Sequence, residues 1–513
     1  MELPTVTVAR LVAVGLTTIC VYWIQRCIYR LYLHPLARFP GPRLAAVSDL
    51  WYAKMYTGGR PPFQLLEAHR RYGRGVILHF TSLQRVSPNR SQGDVVRIAP
   101  NELSFATPQS YHDIYGHTSK GKKRFLKTEF YDLGEIPRVT TARDPEVHAR
   151  QRKAMAHAFS VKALRDQEVL VHEYMDLFIR QLENLGQAGK KALNISEVYN
   201  WLTFDIIGEL SFGESFNAVA EGRTPYWISL IFDGLYWSLL TSLRKRLPIM
   251  NPILRFMLPA DSKEKNEKHI ELTRQKAQRR IERGVDTGRG MADFFGHMIK
   301  TNTITEAELK EQARSIIVAG SETTATALTA ITFQLLRSPE VLVKLQDEVR
   351  SKFTSMDQIT GDLTSQLGYL NGVIEEGLRM FPPVTTTLPR YSPGAVIDGH
   401  YIPSGVVVGN SNYEMSRDPR YWHEPEKFLP ERWIGEGYHD TKKASQPFST
   451  GPRGCLGVNL AYLEMRITLA KVIYAFDIEL ESTGLKSWNE ECPVYFFWKR
   501  PEILVRFHPV GRK

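Results

Sequence analysis

Cysteine is scarce in this chain of 513 residues, which has four, at positions 20, 27, 455 and 492. So few and so scattered, they do not form the disulfide framework of a small secreted protein. The sequence also lacks the glycine-rich fingerprint of dinucleotide-binding domains and the short motifs of zinc proteases and serine hydrolases. These absences exclude several common enzyme classes, and the chemistry must come from other residues.

Acidic residues are outnumbered, with 55 Asp plus Glu against 66 Lys plus Arg and a net charge of +11. Part of this excess lies in residues 1–43, which hold five arginines and one glutamate. The basic runs further along the chain are not interleaved with the aromatic residues that stack on single-stranded bases. The sequence therefore argues against nucleic acid as a partner.

One long hydrophobic run stands near the N-terminus. Residues 11–24 are uninterruptedly apolar, and the run grows to residues 3–24 if Arg10 is tolerated, where a membrane-spanning helix needs about 20. Arginines follow the run and would keep the rest of the chain in the cytosol. A cleaved signal peptide is the alternative, but no cleavage pattern follows. We expect a membrane anchor over residues 1–30, a proline-rich hinge over 31–45 and one domain over 46–513.

Hydrophobic periodicity in that domain is mainly helical. Patterns with a period of 3.6 residues predict helices over 162–185, 262–283, 305–336 and 458–476. Short β-branched runs at 94–98 and 406–408 are bounded by Gly, Pro or Asn and predict a minor sheet. The expected fold class is mainly α with small β-sheets.

Cys455 lies in an unusual setting, among three glycines and a proline and immediately before an apolar-periodic helix. Glycine lets the backbone approach a flat ligand, and amides at a helix start stabilise a thiolate. On this loop alone, a metal-binding thiolate and a buried structural cysteine are both compatible with the residues.

The full pattern F-x-x-G-x-R-x-C-x-G over residues 448–457 resembles the haem-binding loop of the cytochrome P-450 (haem-thiolate monooxygenase) family. Three more segments resemble motifs of that family: AGSETT at 319–324, EGLR at 376–379 and PERW at 430–433. The resemblance covers essentially residues 30–510, and the proline-rich exit from the anchor is similar to the membrane-bound fungal branch of secondary metabolism. It implies a cytochrome P-450 fold and haem b as the cofactor.

The resemblance also implies roles for single residues. Cys455 is the expected axial ligand of the haem iron, where a thiolate favours cleavage of the O–O bond. Glu322 and Thr323 are the expected acid–alcohol pair that relays protons, and Gly320 is expected to leave room for oxygen. Without the motif, a solvated glutamate and a packed threonine would explain that pair equally well.

A further trio, Glu376, Arg379 and Arg432, is expected to form a buried structural lock behind the haem. Glu376 and Arg379 are three residues apart and share a helix face. In an unrelated protein the same pair would be an ordinary surface ion pair of a few tenths of a kcal/mol.

The two haem propionates need cationic or hydrogen-bonding partners. The resemblance offers Arg453, Arg390 and the segment 148–152, in which His148 stands where the family commonly has Trp. The expected cofactor-binding residues are Phe448, Gly451, Arg453, Gly457, His148, Arg152, Arg390 and Gly320. The expected substrate-pocket residues are Ile316, Ala319, Thr387 and Phe497.

These pocket residues are largely uncharged, although core packing explains each of them equally well. They favour an apolar substrate that enters from the membrane, such as a terpenoid or polyketide intermediate. Because the chain has no flavin or nicotinamide fingerprint, the family's use of molecular oxygen implies electrons from NADPH through a separate cytochrome P-450 reductase. The expected location is the endoplasmic reticulum membrane, with the catalytic domain in the cytosol.

Two alternatives stay open. A haem-thiolate isomerase or dehydratase would not need oxygen activation, but such relatives often lack the pair found here as Glu322 and Thr323. A non-catalytic haem-binding membrane protein would have no use for the whole motif set. NADPH-dependent product formation distinguishes the first alternative, and haem content distinguishes the second.

Residues 74–93 interrupt the expected pattern, since in similar proteins the first helix of the domain leads almost directly into the first strand. The segment has no helical or alternating periodicity, and loops of this length are uncommon inside compact domains. It is either a surface insertion or a translated intron, and we favour the intron. Peptide mapping of protein from the native source is then expected to find no peptide from residues 82–90, and detecting one would disprove the hypothesis.

Overall fold

A computed structural model describes residues 5–73, 94–118, 121, 123–134, 136–248, 252, 261–285, 293–481, 485 and 487–511. Residues 74–93 lie outside this set, so the intron hypothesis stays a prediction. The described chain is mainly helical with small sheets, which confirms the expected fold class.

The first helices are α1 (Thr5–Ile28), α2 (Arg43–Val47), α3 (Leu50–Thr57), α4 (Pro61–Tyr72), α5 (Pro108–Tyr115), α6 (Pro145–Ala156), α7 (Val161–Leu185), α8 (Ile195–Phe212), α9 (Ala218–Glu221) and α10 (Tyr226–Arg246). Those that follow are α11 (Ser262–Glu282), α12 (Phe294–Thr301), α13 (Glu306–Arg337), α14 (Pro339–Lys352), α15 (Gly361–Thr364), α16 (Gly368–Met380), α17 (Asn412–Met415), α18 (Val458–Ala475) and α19 (Trp488–Glu491). The strands are β1 (Val95–Ala99), β2 (Glu102–Phe105), β3 (Leu126–Lys127), β4 (Leu193–Asn194), β5 (Arg390–Ile397), β6 (His400–Asn410), β7 (Phe476–Leu480), β8 (Val494–Tyr495), β9 (Phe497–Trp498) and β10 (Leu504–Pro509).

The largest sheet has five strands in the order β1-β2-β6-β5-β3. Within it, β2 and β6 run parallel and the other neighbours run antiparallel. Strands β4, β10 and β7 form a second sheet, and β8 pairs with β9. The main hydrophobic core lies among the helices, while a separate cluster packs against the five-stranded sheet.

Helix α13 runs through the helical core. Its start is fixed by a capping box, in which Glu308 N donates to Thr305 Oγ1 at 3.2 Å and Thr305 N donates to Glu308 Oε2 at 3.0 Å. The helix is apolar enough to cross a membrane, but 78% of its most hydrophobic window is buried inside the protein. It is therefore a core helix, and its bounds match the predicted span 305–336 closely.

The N-terminal helix has the opposite character. Residues Arg10–Leu33 are long and apolar enough to span a bilayer, and none of that window is buried. The chain that follows is packed onto strand β1, because Arg97 Nη1 donates to Arg30 O and Arg97 N donates to Pro40 O, both at 2.7 Å. A Cβ at Gly41 would lie 2.2 Å from Arg97 O, so only glycine allows this approach. The residues predicted as a hinge are thus held against the sheet.

Helix α16 offers a matched pair of glycines for testing how tightly the core is packed. A Cβ at Gly377 would lie 2.2 Å from Cγ1 of Ile331 in α13, whereas a Cβ at Gly368 would meet no atom within 4 Å. We expect Gly377→Ala to lower the free energy of unfolding by about 1–3 kcal/mol through overpacking. Gly368→Ala is expected to leave it unchanged or slightly higher. Chemical denaturation of both variants checks this, and equal stabilities would contradict it.

Candidate functional site

The loop that carries Cys455 is closed by its own backbone. Cys455 N donates to Phe448 O at 2.8 Å, and Gly454 N donates to Gly451 O at 3.0 Å. Gly451 has φ of +71°, and a Cβ there would lie 2.1 Å from Tyr115 O. The loop therefore requires glycine at this position, and its closure fixes where the cysteine stands.

The thiol of Cys455 is exposed, yet protein atoms crowd around it. Desolvation raises the pKa of this thiol, while a hydrogen bond from the Gly457 amide and the charge of Arg152 act in the opposite direction. A Cβ at Gly457 would make only an ordinary contact, 3.9 Å from the Phe159 ring, so packing does not require glycine there. The contribution of Gly457 to the cysteine is its backbone amide. Because the thiolate is the form that binds a metal, the thiol loses its proton when a metal binds.

Two residues of α13 are accessible on one face of this largely buried helix. Ala319 is exposed although it lies in the middle of a largely buried helix, and Thr323 is partly exposed one turn further on. Four residues apart, they share one helix face, and Thr323 Oγ1 donates to Ala319 O at 2.6 Å. The predicted alcohol of the acid–alcohol pair thus lies on an accessible face of α13.

Packing between helices explains why residue 320 is glycine, which the sequence did not indicate. A Cβ at this position would lie 2.6 Å from Cδ1 of Ile207 in α8. The glycine therefore allows α13 and α8 to approach closely. Its expected role beside oxygen stays a prediction.

Glu322, the residue next to Thr323, is fully buried. Its Oε2 lies 2.9 Å from Nη2 of Arg500, whose side chain is 4% exposed. Arg500 belongs to no sequence motif and stands 178 residues further along the chain, so sequence reasoning missed it. No local signal would have found this pair.

A cleft of about 530 Å³ lies beside the Cys455 loop and is rich in cations. Its polar and aromatic lining includes Tyr115, His117, Arg124, His148, Arg152, Lys153, Arg390 and Arg453. Four of these, His148, Arg152, Arg390 and Arg453, are the propionate partners predicted from the sequence. The structure brings all four together on α6, β5 and the cysteine loop.

Two arginines of this cleft donate to backbone carbonyls. Arg453 donates to Ala142 O at 2.6 Å and to Arg143 O at 3.1 Å, and Arg152 donates to Gly454 O at 2.7 Å. Arg390 is buried, and its Nη1 has no hydrogen-bond partner within the described chain.

Lys127 adds a further buried cation, which the sequence analysis did not identify. It lies on β3, next to the Arg390 strand, and it donates to Thr140 O. Burial and then the charges of Arg390 and Arg453 hold its pKa well below the usual value. No ion pair joins Lys127, Arg152, Arg390 or Arg453 to a carboxylate of the described residues.

The crowding of basic side chains in this cleft lowers the pKa values of its members. Burial and then Arg390 lower the pKa of Arg453 to about 10. Burial and then Arg453 lower the pKa of His148 to about 3, so this imidazole is neutral at neutral pH and retains one N–H donor. Buried cations without counter-charges are unfavourable, and an anion restores the balance. The two carboxylates of a haem have the chemistry that this cleft requires.

The three residues predicted to form a structural lock make a buried ion cluster. Arg379 donates from Nε and Nη2 to both oxygens of Glu376 at 2.8 Å, and Arg432 Nε donates to Oε1 at 2.9 Å. All three side chains are 0% exposed. Burial would raise the pKa of Glu376, but Arg379 and then Arg432 outweigh it and lower the pKa. Trp433 Nε1 completes the shell by donating to Oε2 at 3.0 Å.

The four predicted pocket residues have different surroundings. Ile316 is buried in the main core, and Thr387 is buried against Gly409, where an added Cβ would lie 3.0 Å from the Thr387 Cβ. Phe497 is partly buried and forms an isolated bridge with Val384. Ala319 is exposed, as described above. Their shared role in binding a substrate stays a prediction.

Comparison with known proteins identifies the family of this arrangement. The family model described as cytochrome P-450 matches residues 90–507. Cytochrome P-450 monooxygenase BOA3 of Botryotinia fuckeliana is 42% identical over 506 residues, which cover 96% of this chain and 95% of that protein. Cytochrome P-450 monooxygenase poxC of Penicillium oxalicum is 40% identical over 95% of this chain and 92% of that protein. Averantin hydroxylase of Dothistroma septosporum is 34% identical, with 96% and 91% covered.

Glu464 on α18 is a second buried acid near α13, and sequence reasoning missed it because a single glutamate carries no motif. It is 1% exposed, it hydrogen-bonds with Thr324, and burial raises its pKa to about 8. A carboxyl group whose pKa is raised by folding lowers the stability of the folded protein once the pH is high enough to ionise the same group in the unfolded chain. Wild-type stability is therefore expected to fall as pH rises from about 4.5 to about 8.

Glu464→Gln keeps the neutral shape and removes this loss. We expect the variant to gain stability over wild type by the order of a few kcal/mol as pH rises to 8. Thermal unfolding across this pH range checks the result, with Glu436→Gln at an exposed position as the control. Parallel curves for wild type and Glu464→Gln would contradict it.

Proposed function

The chain belongs to the cytochrome P-450 family, and we propose that it is a membrane-anchored monooxygenase that oxidises an apolar small molecule. The observation that carries this proposal is the cation-rich cleft beside the Cys455 loop, which has no carboxylate partner among the described residues. Cys455 would hold the haem iron, and His148, Arg152, Arg390, Arg453 and Lys127 would hold the propionates. A bound haem supplies the oxygen chemistry.

The remaining contributions come from the chain itself. The Gly457 amide favours the thiolate form of Cys455. Thr323 and Glu322 are proposed to hold and pass protons, with Thr323 partly exposed on α13 and Glu322 buried and paired with Arg500. This pair favours the monooxygenase over an isomerase or dehydratase, which would not need it.

The substrate and partners follow from the anchor and from the relatives. One relative is named a hydroxylase of averantin, and others are named monooxygenases, which supports oxidation of a small organic molecule. We propose a terpenoid or polyketide intermediate of secondary metabolism, reached from the membrane. Electrons would come from NADPH through a separate reductase, whose acidic surface the exposed Arg124 and Lys153 can attract. The proposed location is the endoplasmic reticulum membrane, facing the cytosol.

The carbon monoxide difference spectrum of the dithionite-reduced protein in microsomes tests this proposal. We expect a red-shifted Soret band in wild type and in Cys492→Ala, which removes a buried cysteine outside the loop, and complete loss of that band in Cys455→Ala. A band at the position of histidine-ligated haem in wild type would contradict the proposal. So would the absence of any band from chains expressed both with and without residues 74–93.

A further inference from the structure

Arg500 fastens the C-terminal part of the chain to the middle of α13. It lies between β9 and β10, and its Nη2 is 2.9 Å from Glu322 Oε2. Its Nη1 donates to Thr326 Oγ1 at 2.9 Å and to Glu322 O at 3.2 Å. Glu322 and Thr326 are one helical turn apart, so a single guanidinium holds three groups on one face of the helix.

Glu322 has its counter-charge in this contact. Its side chain is 0% exposed, and a buried carboxylate is strongly unfavourable unless it is paired. Within the described residues, Arg500 is the cation that makes an ion pair with it. Removing Arg500 would leave this buried carboxylate without that counter-charge.

The ion pair also makes the two carboxylate oxygens unequal. Oε2 is held by Arg500, whereas Oε1 is buried and has no hydrogen-bond partner in the described part of the chain. The next residue, Thr323, directs its hydroxyl to Ala319 O on the adjoining face. Oε1 is therefore the oxygen that is able to take up and release a proton.

We propose that Arg500 is the positioning residue of the proton relay, holding the buried Glu322 carboxylate through Oε2 and leaving Oε1 for exchange with the Thr323 side. The inference rests on the proposed function, in which Glu322 and Thr323 pass protons. A proton that Oε1 accepts from water leaves again from the same oxygen, so the ion pair at Oε2 is unchanged over a cycle. Arg500 acts only through Glu322.

The test uses the full-length, haem-loaded chain in microsomes with a cytochrome P-450 reductase. The rate of NADPH consumption under air, with no added substrate, is measured in water and in heavy water at equal haem content. The variants are Arg500→Gln, Arg500→Lys, Glu322→Gln and the double variant Glu322→Gln with Arg500→Gln. Arg506→Gln is the matched control, because Arg506 lies six residues away on β10 and pairs with Glu481.

We expect Arg500→Gln to slow NADPH consumption about tenfold and to raise the solvent isotope effect, as Glu322→Gln does. Arg500→Lys keeps the charge and is expected to restore most of the rate. In the Glu322→Gln background, Arg500→Gln is expected to cause no further loss, and Arg506→Gln to retain the wild-type rate. Thermal unfolding gives an independent readout: Arg500→Gln is expected to lower the midpoint more with Glu322 present than with Gln at that position.

The two proposals fail in different ways. If Glu322→Gln consumes NADPH at the wild-type rate, the proton relay itself is wrong, and the role of Arg500 falls with it. If Glu322→Gln is slow but Arg500→Gln is not, the relay stands and the inference about Arg500 is overturned. A further loss of the same size in the double variant would show that Arg500 acts elsewhere, which also overturns it.

Discussion

The carboxylate of Glu376 is shared by two buried arginines, and much of the chain between α16 and α18 depends on that sharing. Arg379 uses its remaining donors on backbone carbonyls of the segment 416–427, and Arg432 donates to His423 O and to the carboxylate of Asp440. The ion cluster therefore also fixes the course of the irregular chain there, which residues 428–447 join to the Cys455 loop. Removing one partner of a buried ion pair costs about 3–5 kcal/mol, because a charge is left uncompensated. The ion cluster therefore holds in place the chain that precedes the cysteine loop.

Three groups of buried charge in this protein are balanced in three different ways. In the structural lock, Glu376 is surrounded by cations and indole and amide donors, and it is fully satisfied. On α13, Glu322 has one cation, and one of its oxygens remains free of hydrogen bonds in the described structure. In the cleft, Arg152 and Arg453 donate to backbone carbonyls, and Arg390 Nη1 has no hydrogen-bond partner among the described residues. Under the proposed function, the fully paired Glu376 cluster holds the fold, whereas Glu322 and the cleft cations, which are less fully paired, react or bind.

The local sequence pattern is sufficient to predict the helices and to identify the motif residues. Periodicity predicts a helix over 162–185, which is found as Val161–Leu185, and the motif spacing of Glu376 and Arg379 places them on one face. Contacts between distant segments are not predictable in this way. Arg500 and Lys127 belong to no motif, and the reason for Gly320 is a side chain on another helix, at Ile207. Such pairings depend on which elements meet in space, and a single sequence carries no local signal for them.

The hydrogen bonds from Arg97 to the backbone oxygens of Arg30 and Pro40 have a consequence for the proposed anchoring in a bilayer. A tether attached through a loose linker would let the domain turn freely, and a substrate entrance would then face the lipid only part of the time. Here the chain leaving α1 is joined to the first strand of the main sheet at both of these residues. As the proposed membrane anchor, α1 would therefore have a rigid connection to the domain, which would turn the same face of the domain toward the lipid in every molecule.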